Sequence, residues 1–263
     1  MQIHFSKYHG AGNDFILVDN REQVYNLSNN DIEFMCSRRY GIGADGLMII
    51  ENSEDYDFKM KYYNSDGNEG SMCGNGGRCI VSFAKELGII EFQTRFIAVD
   101  GLHDATINRI DKTECDISLM MNNVSNIKGN NNTFFLDTGS PHHIEFVDNV
   151  SEINVHNKGK EIRYSDKYKS SKGTNVNFVE ESDNNLIIRT YERGVEAETH
   201  ACGTGATAAA IAFAIKNKKF DKEIKLKALG GILRVSFEYK DEIFTNIILS
   251  GPTKMVYKGV FTI

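Results

Sequence analysis

The two halves of this chain carry the same short motifs in the same order. Cys73-Gly74-Asn75-Gly76 in the first half corresponds to Cys202-Gly203-Thr204-Gly205 in the second. Three further pairs keep a nearly constant separation of roughly 130 residues: Asn13 with Ser140, Asp45 with Asn175, and Asn64 with Glu192. One coincidence carries little weight, but four in the same order indicate two similar units. Each unit is expected to end its motif with Cys-Gly-x-Gly at the start of a buried helix.

The boundary between the units is predicted in a polar, asparagine-rich stretch at residues 120–132. The first unit is therefore expected to span residues 1–121 and the second residues 122–251. With 263 residues, the chain is long enough for two such units without disulfide or metal support.

The apolar pattern predicts a β-rich chain with a few helices. Alternation predicts strands at residues 3–8, 15–19, 47–50, 58–63, 95–100, 115–119, 134–137, 144–147, 186–191, 225–229, 233–237 and 247–249. Helical periodicity after Cys73 stops at Gly88, and a second helix, apolar almost all round, should follow Cys202. A third helix is expected at residues 28–38, capped by Ser28 or Asn29.

Charge and cysteine content exclude several classes of function. The chain carries 30 basic and 36 acidic residues, a net charge of −6, which repels nucleic-acid phosphates and anionic lipid surfaces. No apolar stretch reaches the ~20 residues of a membrane span, and the N-terminus lacks the pattern of a signal peptide. Five cysteines are too few and odd in number for a secreted disulfide framework. A cytoplasmic protein with reduced thiols is expected.

A cysteine at the start of a helix is suited to acid/base chemistry. The unsatisfied amides and the positive end of the helix dipole lower the pKa of the thiol and favour the thiolate. The adjacent glycines let a ligand approach the backbone, so the same amides can hold a carboxylate. Two such elements facing each other would place a sulfur on each face of one substrate carbon. One thiolate would remove a proton and one thiol would return it from the other side, which inverts the configuration.

Other interpretations of the motifs are weaker. Residues 203–208 match the dinucleotide pattern GxGxxG/A, but the preceding residues are polar and no ribose-binding acid follows. A zinc site using Cys73 and Cys79 would lack a second pair of ligands. Cys36, Cys79 and Cys115 are expected to be small core residues. The sequence contains no recognisable cofactor-binding motif, and we expect no cofactor.

With these features in place, the sequence resembles the diaminopimelate epimerase family. The resemblance rests on six segments: 5–15 (FSKYHGAGNDF), 41–46 (GIGADG), 64–67 (NSDG), 73–79 (CGNGGRC), 191–194 (YERG) and 201–206 (ACGTGA). It implies a cofactor-independent isomerase that converts LL-2,6-diaminopimelate to the meso form in lysine and peptidoglycan precursor biosynthesis. It also implies an α+β fold of two pseudo-symmetric domains, each a β-barrel-like sheet around a central helix. Residues 252–263 would return as a strand to the first domain.

The resemblance further assigns roles to individual residues. Cys73 and Cys202 would be the acid/base pair. Helix-start donors to the carboxylate at the reacting carbon would come from Gly74, Asn75, Gly203 and Thr204. Polar groups of the substrate would be bound by Asn13, Asn64, Asn175, Glu192 and Arg193. His142 and Glu192 would bias the protonation of the thiols.

Two departures from the family pattern concern substrate contacts. Ser140 stands where the family has an asparagine, and Gly46 stands where some members have a glutamine that contacts substrate. Another paired-cysteine racemase, of the proline, hydroxyproline or histidine type, is the alternative enzyme. A non-catalytic binding protein on the same scaffold is the alternative from another class. The sequence leaves a homodimer possible and does not give the oligomeric state.

Overall fold

The fold is described from a computed structural model that describes residues 1–70, 73–182, 185–220 and 223–263. The chain divides into two compact units. The first comprises Met1–Leu119 and Gly251–Ile263, and the second comprises Met120–Ser250. The boundaries expected from the sequence, after residues 121 and 251, lie one or two residues from these.

The first unit is a sheet that closes around a helix. Its strands are β1 (Gln2–Gly10), β2 (Asn13–Asp19), β3 (Gly46–Glu51), β4 (Phe58–Asn64), β5 (Gln93–Ala98), β6 (Gly101–Asp111), β7 (Glu114–Met120) and the C-terminal part of β16 (Ile243–Thr262). β1 to β7 pair in chain order, and β16 pairs with both β7 and β1, which closes the ring. Helix α2 (Gly74–Glu86) is buried from Gly74 to Ala84, as expected for a helix inside the ring.

The second unit has the same plan. Its strands are β8 (Lys128–Gly129), β9 (Thr133–Asp137), β10 (Pro141–Phe146), β11 (Asn175–Ser182), β12 (Asn185–Glu192), β13 (Ala197–Thr199), β14 (Ile224–Ala228), β15 (Gly231–Lys240) and the N-terminal part of β16. A bridge between Val124 and Phe244 links the start of the unit to β16. Helix α4 (Gly203–Asn217) is buried along most of its length.

Strand directions confirm the internal duplication. In the first unit β2 and β3 are parallel, β3 and β4 antiparallel, and β4 and β5 parallel. In the second unit the same three relations hold for β10 with β11, β11 with β12, and β12 with β14. Helices α1 (Asn29–Cys36) and α3 (Val155–Arg163) occupy corresponding places, before β3 and β11. Two short 3₁₀ helices, Val150–Glu152 and Asp166–Ser171, flank α3.

Local sequence explains where the first helix begins. The Ser28 side chain accepts a hydrogen bond from the Asp31 amide, and the Asp31 carboxylate accepts one from the Ser28 amide. This reciprocal capping box satisfies two of the donors that a helix start leaves open. The predicted cap at Ser28 is confirmed, but the helix ends at Cys36 and not at residue 38.

Several elements have no apolar signal in the sequence. β6 turns His103, Ala105 and Ile107 inward, so a histidine and an alanine weaken the alternation. Helix α3 buries only Val155 and Gly159, which gives no helical stripe. The strand predicted at 95–100 lies two residues too far along the chain, since β5 spans Gln93–Ala98 and a tight turn leads from it into β6. Within the described part of the chain, no helix is long and apolar enough to span a bilayer.

Candidate active site

Cys73 is the N-cap residue of α2, as the sequence predicts. Its backbone is extended, with φ −106° and ψ 125°, and its carbonyl accepts the Gly77 amide at 2.7 Å. Gly76 lies in the first turn, where a Cβ would fall 1.9 Å from the terminal methyl of Met48. The small residue lets the helix start pack against β3, and Cys73 itself remains half-buried.

Two asparagine side chains lie beside the Cys73 thiol. Cys73 Sγ donates to Asn13 Oδ1 at 3.7 Å, and Asn75 Nδ2 donates to the same oxygen at 3.2 Å. Asn13 Nδ2 donates to Asp45 Oδ2 at 2.7 Å. Arg78, fully buried in α2, donates to Asn75 Oδ1 at 2.9 Å. The structure thus brings the predicted residues Asn13, Cys73 and Asn75 together and adds Asp45 and Arg78.

An ion-pair network supports the segment that carries Asn13. Asp14 accepts from Lys7 at 2.8 Å and from the two terminal guanidinium nitrogens of Arg38. Arg38 also contacts Asp45 at 2.6 Å. Burial would raise the pKa of Asp14, but the hydrogen bonds from Arg38 and Lys7 outweigh it and hold that pKa well below its usual range. The carboxylate therefore stays ionised and keeps the start of β2 in place.

Cys202 is the N-cap residue of α4, so this prediction too is confirmed. Its Sγ accepts the Gly205 amide at 3.4 Å and lies 3.4 Å from Thr204 Oγ1. The side chain is buried, with 8% of the residue exposed. A Cβ on Gly205 would approach Asn177 Oδ1 to 2.4 Å, so glycine is required at this point of the helix.

His142 is connected to Cys202 through Thr204. Its Nε2 lies 3.0 Å from Thr204 Oγ1, and its Nδ1 lies 3.1 Å from Asn177 Nδ2. The ring is fully buried. Burial, with a smaller contribution from the nearby Arg193, lowers the pKa of His142 to about 3. The imidazole is therefore neutral at physiological pH. Asn177 was not foreseen from the sequence.

Two threonines hold groups near Cys202 in place: Thr138, which follows β9, and Thr190, which lies in β12. Thr138 Oγ1 donates to the Thr204 carbonyl at 2.9 Å. Thr190 Oγ1 donates to Asn177 Oδ1 at 2.9 Å. These contacts hold the first turn of α4 and the Asn177 amide in one orientation. Neither threonine was foreseen from the sequence.

Asn175, Arg193 and Ser140 form a second group in this unit. Asn175 Nδ2 donates to Ser140 Oγ at 2.8 Å, and its Oδ1 accepts the Arg193 amide at 2.8 Å. The Arg193 guanidinium donates to the Ser171 carbonyl at 3.2 Å and to Ser140 Oγ at 3.4 Å. Both of these partners are neutral oxygens, so the guanidinium retains its charge for an anionic ligand. The neighbouring Glu192 accepts from Thr199 Oγ1 at 2.9 Å.

The turn after Arg193 is anchored by Glu196. Its carboxylate accepts from Arg163, Tyr164 and Tyr191, and also from the Gly194 amide. Glu196 itself has φ +58°, a left-handed conformation that these contacts must hold. Burial acts to raise the pKa of Glu196, and the bond from Arg163 leads the contacts that lower it to about 2.

Two further expected positions lie in the first unit at the ends of β3 and β4. Asn64, the last residue of β4, is exposed, and its backbone exchanges hydrogen bonds with Asn68 and Gly67. At Gly46 a Cβ would fall 2.6 Å from the Tyr62 ring and 2.6 Å from the Tyr63 carbonyl. A glutamine would not fit there unless the Tyr62 ring and the Tyr63 backbone shifted.

The remaining cysteines differ from the candidate pair. Cys36 and Cys79 are buried in the first unit, and Cys115 is half-buried. Burial raises the pKa of all three thiols, in the case of Cys36 to about 12. They are protonated at neutral pH, as expected for packing residues. Across the described segments, no cluster of three or more histidine, cysteine or acidic side chains is arranged to hold a metal.

Comparison with protein families gives a match along most of the chain. The model of the diaminopimelate epimerase family matches residues 5–127 and 134–256. A diaminopimelate epimerase of Flavobacterium psychrophilum is 54% identical over 254 residues, covering 96% of this chain and 97% of the relative. The diaminopimelate epimerase of Chlorobaculum tepidum is 43% identical over 263 residues, covering 97% of this chain and 99% of the relative.

Solved structures extend the similarity in fold. A phenazine biosynthesis protein of the PhzF family from Bacillus anthracis superposes with a TM-score of 0.78 at 16% identity over the whole of both chains. A hydroxyproline epimerase from Agrobacterium vitis gives a TM-score of 0.71 at 12% identity, covering 98% of this chain and 92% of that one. At such identities the likeness concerns the fold alone. The predicted fold, two domains with barrel-like sheets around central helices, is confirmed.

Proposed function

Because the chain belongs to the diaminopimelate epimerase family, we propose that Cys73 and Cys202 are the two acid/base residues of its reaction. The chain is an isomerase that interconverts LL-2,6-diaminopimelate and its meso form, a step of lysine biosynthesis. The observation that carries the proposal is the equivalent position of the two thiols. Each is the N-cap residue of the buried central helix in its own unit.

The reaction requires a proton to leave one face of the α-carbon and another to arrive at the opposite face. In our proposal one cysteine removes the proton as a thiolate, and the other returns a proton as a thiol. An α-proton is much less acidic than a thiol, so the carbanion-like state must be stabilised. The first amides of a helix have no acceptor within the helix, and they can bind the carboxylate beside that carbon.

These amides belong to Gly74 and Asn75 in α2 and to Gly203 and Thr204 in α4. Precedent for preorganised donors of this kind is a loss of about 3 kcal/mol of transition-state stabilisation for each one removed. Two helix starts thus supply an electrostatic contribution large enough to matter for proton removal from carbon.

The other polar groups are proposed to bind the rest of the substrate. Arg193 is suited to a carboxylate because its planar guanidinium can donate two parallel hydrogen bonds. Asn175 holds the Arg193 backbone, and Ser140 contacts both of them. The family motifs assign contacts with the remaining amino and carboxylate groups to Asn13, Asn64 and Glu192.

The test is α-hydrogen exchange in deuterated water with LL-diaminopimelate, meso-diaminopimelate and proline. We expect exchange and inversion of the diaminopimelate isomers only. Cys73→Ser and Cys202→Ser should each reduce turnover by at least ~10²-fold, because a serine hydroxyl is a far weaker acid than a thiol and is not ionised near neutral pH, so it cannot serve as the base. Cys115→Ser is the matched control and should act through stability alone. Wild-type turnover in the Cys202 variant would refute the two-thiol scheme.

We also propose a cytoplasmic location. The mechanism needs one thiol and one thiolate, and glutathione and thioredoxin keep cysteines reduced in that compartment. The homodimer left possible by the sequence stays a prediction, which sedimentation of the purified chain would test.

A further inference from the structure

The proposed function makes no use of a histidine that is buried in the second unit. His143 lies in β10 directly after His142, and neighbouring residues of a strand point to opposite faces of the sheet. His142 reaches Thr204 at the start of α4, whereas His143 Nδ1 lies 2.6 Å from the hydroxyl of Tyr168. Its ring is buried, with 4% of the residue exposed. Two consecutive histidines of one strand therefore contact two different parts of the unit.

The other ring nitrogen of His143 determines the direction of its hydrogen bond with Tyr168. Across the described residues Nε2 has no hydrogen-bond partner, and it lies 3.6 Å from Glu145 Oε2. The contact with His143 and the bond from Lys158 at 2.6 Å outweigh burial and lower the pKa of Glu145 to about 2, so this carboxylate is ionised. An ionised carboxylate favours a proton on the nitrogen that faces it, which leaves Nδ1 as an acceptor. The Tyr168 hydroxyl therefore donates to His143.

Tyr168 anchors the 3₁₀ helix Asp166–Ser171 to the sheet. It is the one buried residue of this helix, which is described along its whole length. Its ring packs against Phe135 of β9, with the ring centroids 5.1 Å apart. Its carbonyl accepts the Gly173 amide at 2.9 Å and the Ser171 hydroxyl at 3.0 Å. The position of the turn that follows the helix therefore depends on Tyr168.

That turn carries a contact to Arg193. The Ser171 carbonyl accepts from Arg193 Nη1 at 3.2 Å, and Ser140 Oγ accepts from Nη2 at 3.4 Å. The guanidinium is planar, so two acceptors on different segments fix its orientation. A guanidinium held in this way can offer a carboxylate two parallel hydrogen bonds with little further loss of freedom on binding.

The first unit has neither the polar pair nor the arginine at the corresponding positions. In the parallel strand pairs, Ile16 of β2 occupies the register position that His143 has in β10. Ile16 is apolar and fully buried. The residue that corresponds to Arg193 is Ser65. The unit that carries the arginine is thus the one that carries the buried histidine.

We propose that His143 and Tyr168 are positioning residues for the substrate: they hold the 3₁₀ helix against β10, so that the Ser171 carbonyl orients the Arg193 guanidinium for a substrate carboxylate. This inference rests on the function proposed above, in which Arg193 binds that carboxylate. Neither His143 nor Tyr168 contacts the substrate in this proposal. Their effect is therefore one on substrate binding and not on proton transfer.

The first variant is Tyr168→Phe, which keeps the buried ring and removes the hydroxyl. Steady-state rates with LL-diaminopimelate should show KM raised by about 5-fold, the effect of one neutral hydrogen bond, with kcat within about 2-fold of the wild-type value. A role in stability alone gives a different result, because unfolding of part of the enzyme lowers the apparent kcat and leaves KM unchanged. An unchanged KM would overturn the proposal.

Tyr8→Phe is the matched control in the first unit. Tyr8 and Tyr168 are both 3% exposed, and the Tyr8 hydroxyl donates to Glu86 at 2.6 Å. We expect a comparable fall in Tm and no change in KM. If Tyr8→Phe raised KM as much as Tyr168→Phe, the effect would not depend on Arg193, and the proposal would be wrong.

A double-mutant cycle tests whether Tyr168 acts through Arg193. In the Arg193→Ala background the Ser171 carbonyl has no guanidinium to orient, so Tyr168→Phe should change kcat/KM by less than about 2-fold. In the wild-type background the same substitution should lower kcat/KM by about 5-fold. Equal effects in the two backgrounds would contradict the route through Arg193.

Two variants of His143 test the acceptor. In asparagine Oδ1 is bonded to Cγ, as Nδ1 is in histidine, so His143→Asn still offers an acceptor to the Tyr168 hydroxyl, whereas His143→Leu does not. We expect His143→Asn to keep KM within about 2-fold of wild type and His143→Leu to raise it by about 5-fold. The same rise in both variants would refute the role of the acceptor.

Amide hydrogen exchange of residues 166–175, measured without substrate, separates this inference from the proposed function. Exchange in this segment should be faster in Tyr168→Phe and unchanged in Tyr8→Phe. Unchanged exchange in Tyr168→Phe would overturn the anchoring role whatever the chain does with substrate. If the wild-type chain exchanges no α-hydrogen, the proposed function fails, and the amide exchange still decides whether Tyr168 holds the segment. A melting curve identifies a variant that has not folded, and the two His143 variants then decide.

Discussion

Cys73 and Cys202 occupy equivalent positions in the two units but differ in the groups that surround the sulfur. Beside Cys73 the hydrogen-bond chain ends on charged groups, Arg78 and Asp45, and presents an acceptor. Beside Cys202 the hydrogen-bonded groups, His142 and Thr204, are neutral, and the Gly205 amide donates to the sulfur. A duplicated scaffold has therefore kept the helix start and diverged in the polarity of its neighbours. The two units share a backbone fold, but different groups contact the sulfur in each.

The two helix starts should differ in how well they tolerate a larger residue at the third position of the helix. A Cβ at position 205 would meet the oxygen of the Asn177 amide, a group that three hydrogen bonds hold in place. A Cβ at position 76 would instead meet the flexible end of Met48. We expect Gly205→Ala to lose at least ~10²-fold in turnover and to lower Tm, since Asn177 and His142 must shift. Gly76→Ala should stay within about 10-fold of wild type. Steady-state rates and thermal melts measure both, and equal losses would contradict the difference in rigidity.

Arg193 has no charged counterpart in the first unit, where the equivalent residue is Ser65. We expect Arg193→Lys to raise KM for diaminopimelate by about 10-fold with a smaller change in kcat, since lysine cannot donate the parallel pair of bonds. Ser65→Ala serves as the control for the duplicated position. A loss confined to kcat would argue that Arg193 does not bind the ground-state carboxylate.

The two units should also differ in their sensitivity to acid. His142 corresponds to Phe15 in the first unit, and both are fully buried. The pKa of His142 is lowered from 6.5 to about 3, so below pH 6.5 the unfolded chain binds a proton that the folded chain does not. This proton leaves the free energy of unfolding unchanged above pH 6.5 and lowers it as the pH falls towards 3, on the order of 1 kcal/mol per pH unit.

Urea unfolding between pH 7.5 and 5 measures this slope. His142→Phe, which places the first unit's residue in the second, should flatten the slope even if it lowers stability at every pH. An unchanged slope would show that another group controls the acid response.

Sequence alone predicts the two helix starts because the relevant signals are local. An apolar run, a glycine-rich first turn and a cysteine before it lie within a few residues of one another at both sites. The duplication was visible for the same reason. The alternation of apolar residues also places strands near many of those observed, but it misses β6 and β11 and does not give the order in which the strands pair.

The supporting residues could not be predicted because their partners are distant along the chain. Asn177 lies in an apolar strand and meets His142 only through the parallel pairing of β10 and β11. Asp45 meets Asn13 through the parallel pairing of β2 and β3. Arg78 offered a signal, since it is a charged residue in the glycine-rich and apolar part of α2, whose other charged residues, Lys85 and Glu86, lie at its C-terminal end.

The longest strand has a consequence for biosynthesis of the chain. Residues 243–250 of β16 pair within the second unit, and residues 251–262 supply the segment that closes the ring of the first. The first unit thus cannot complete its sheet while the ribosome is still making the second. Its β1 and β7 must keep their edges unpaired through roughly half of translation, a long-range closure of the kind that folds slowly and exposes strands to aggregation.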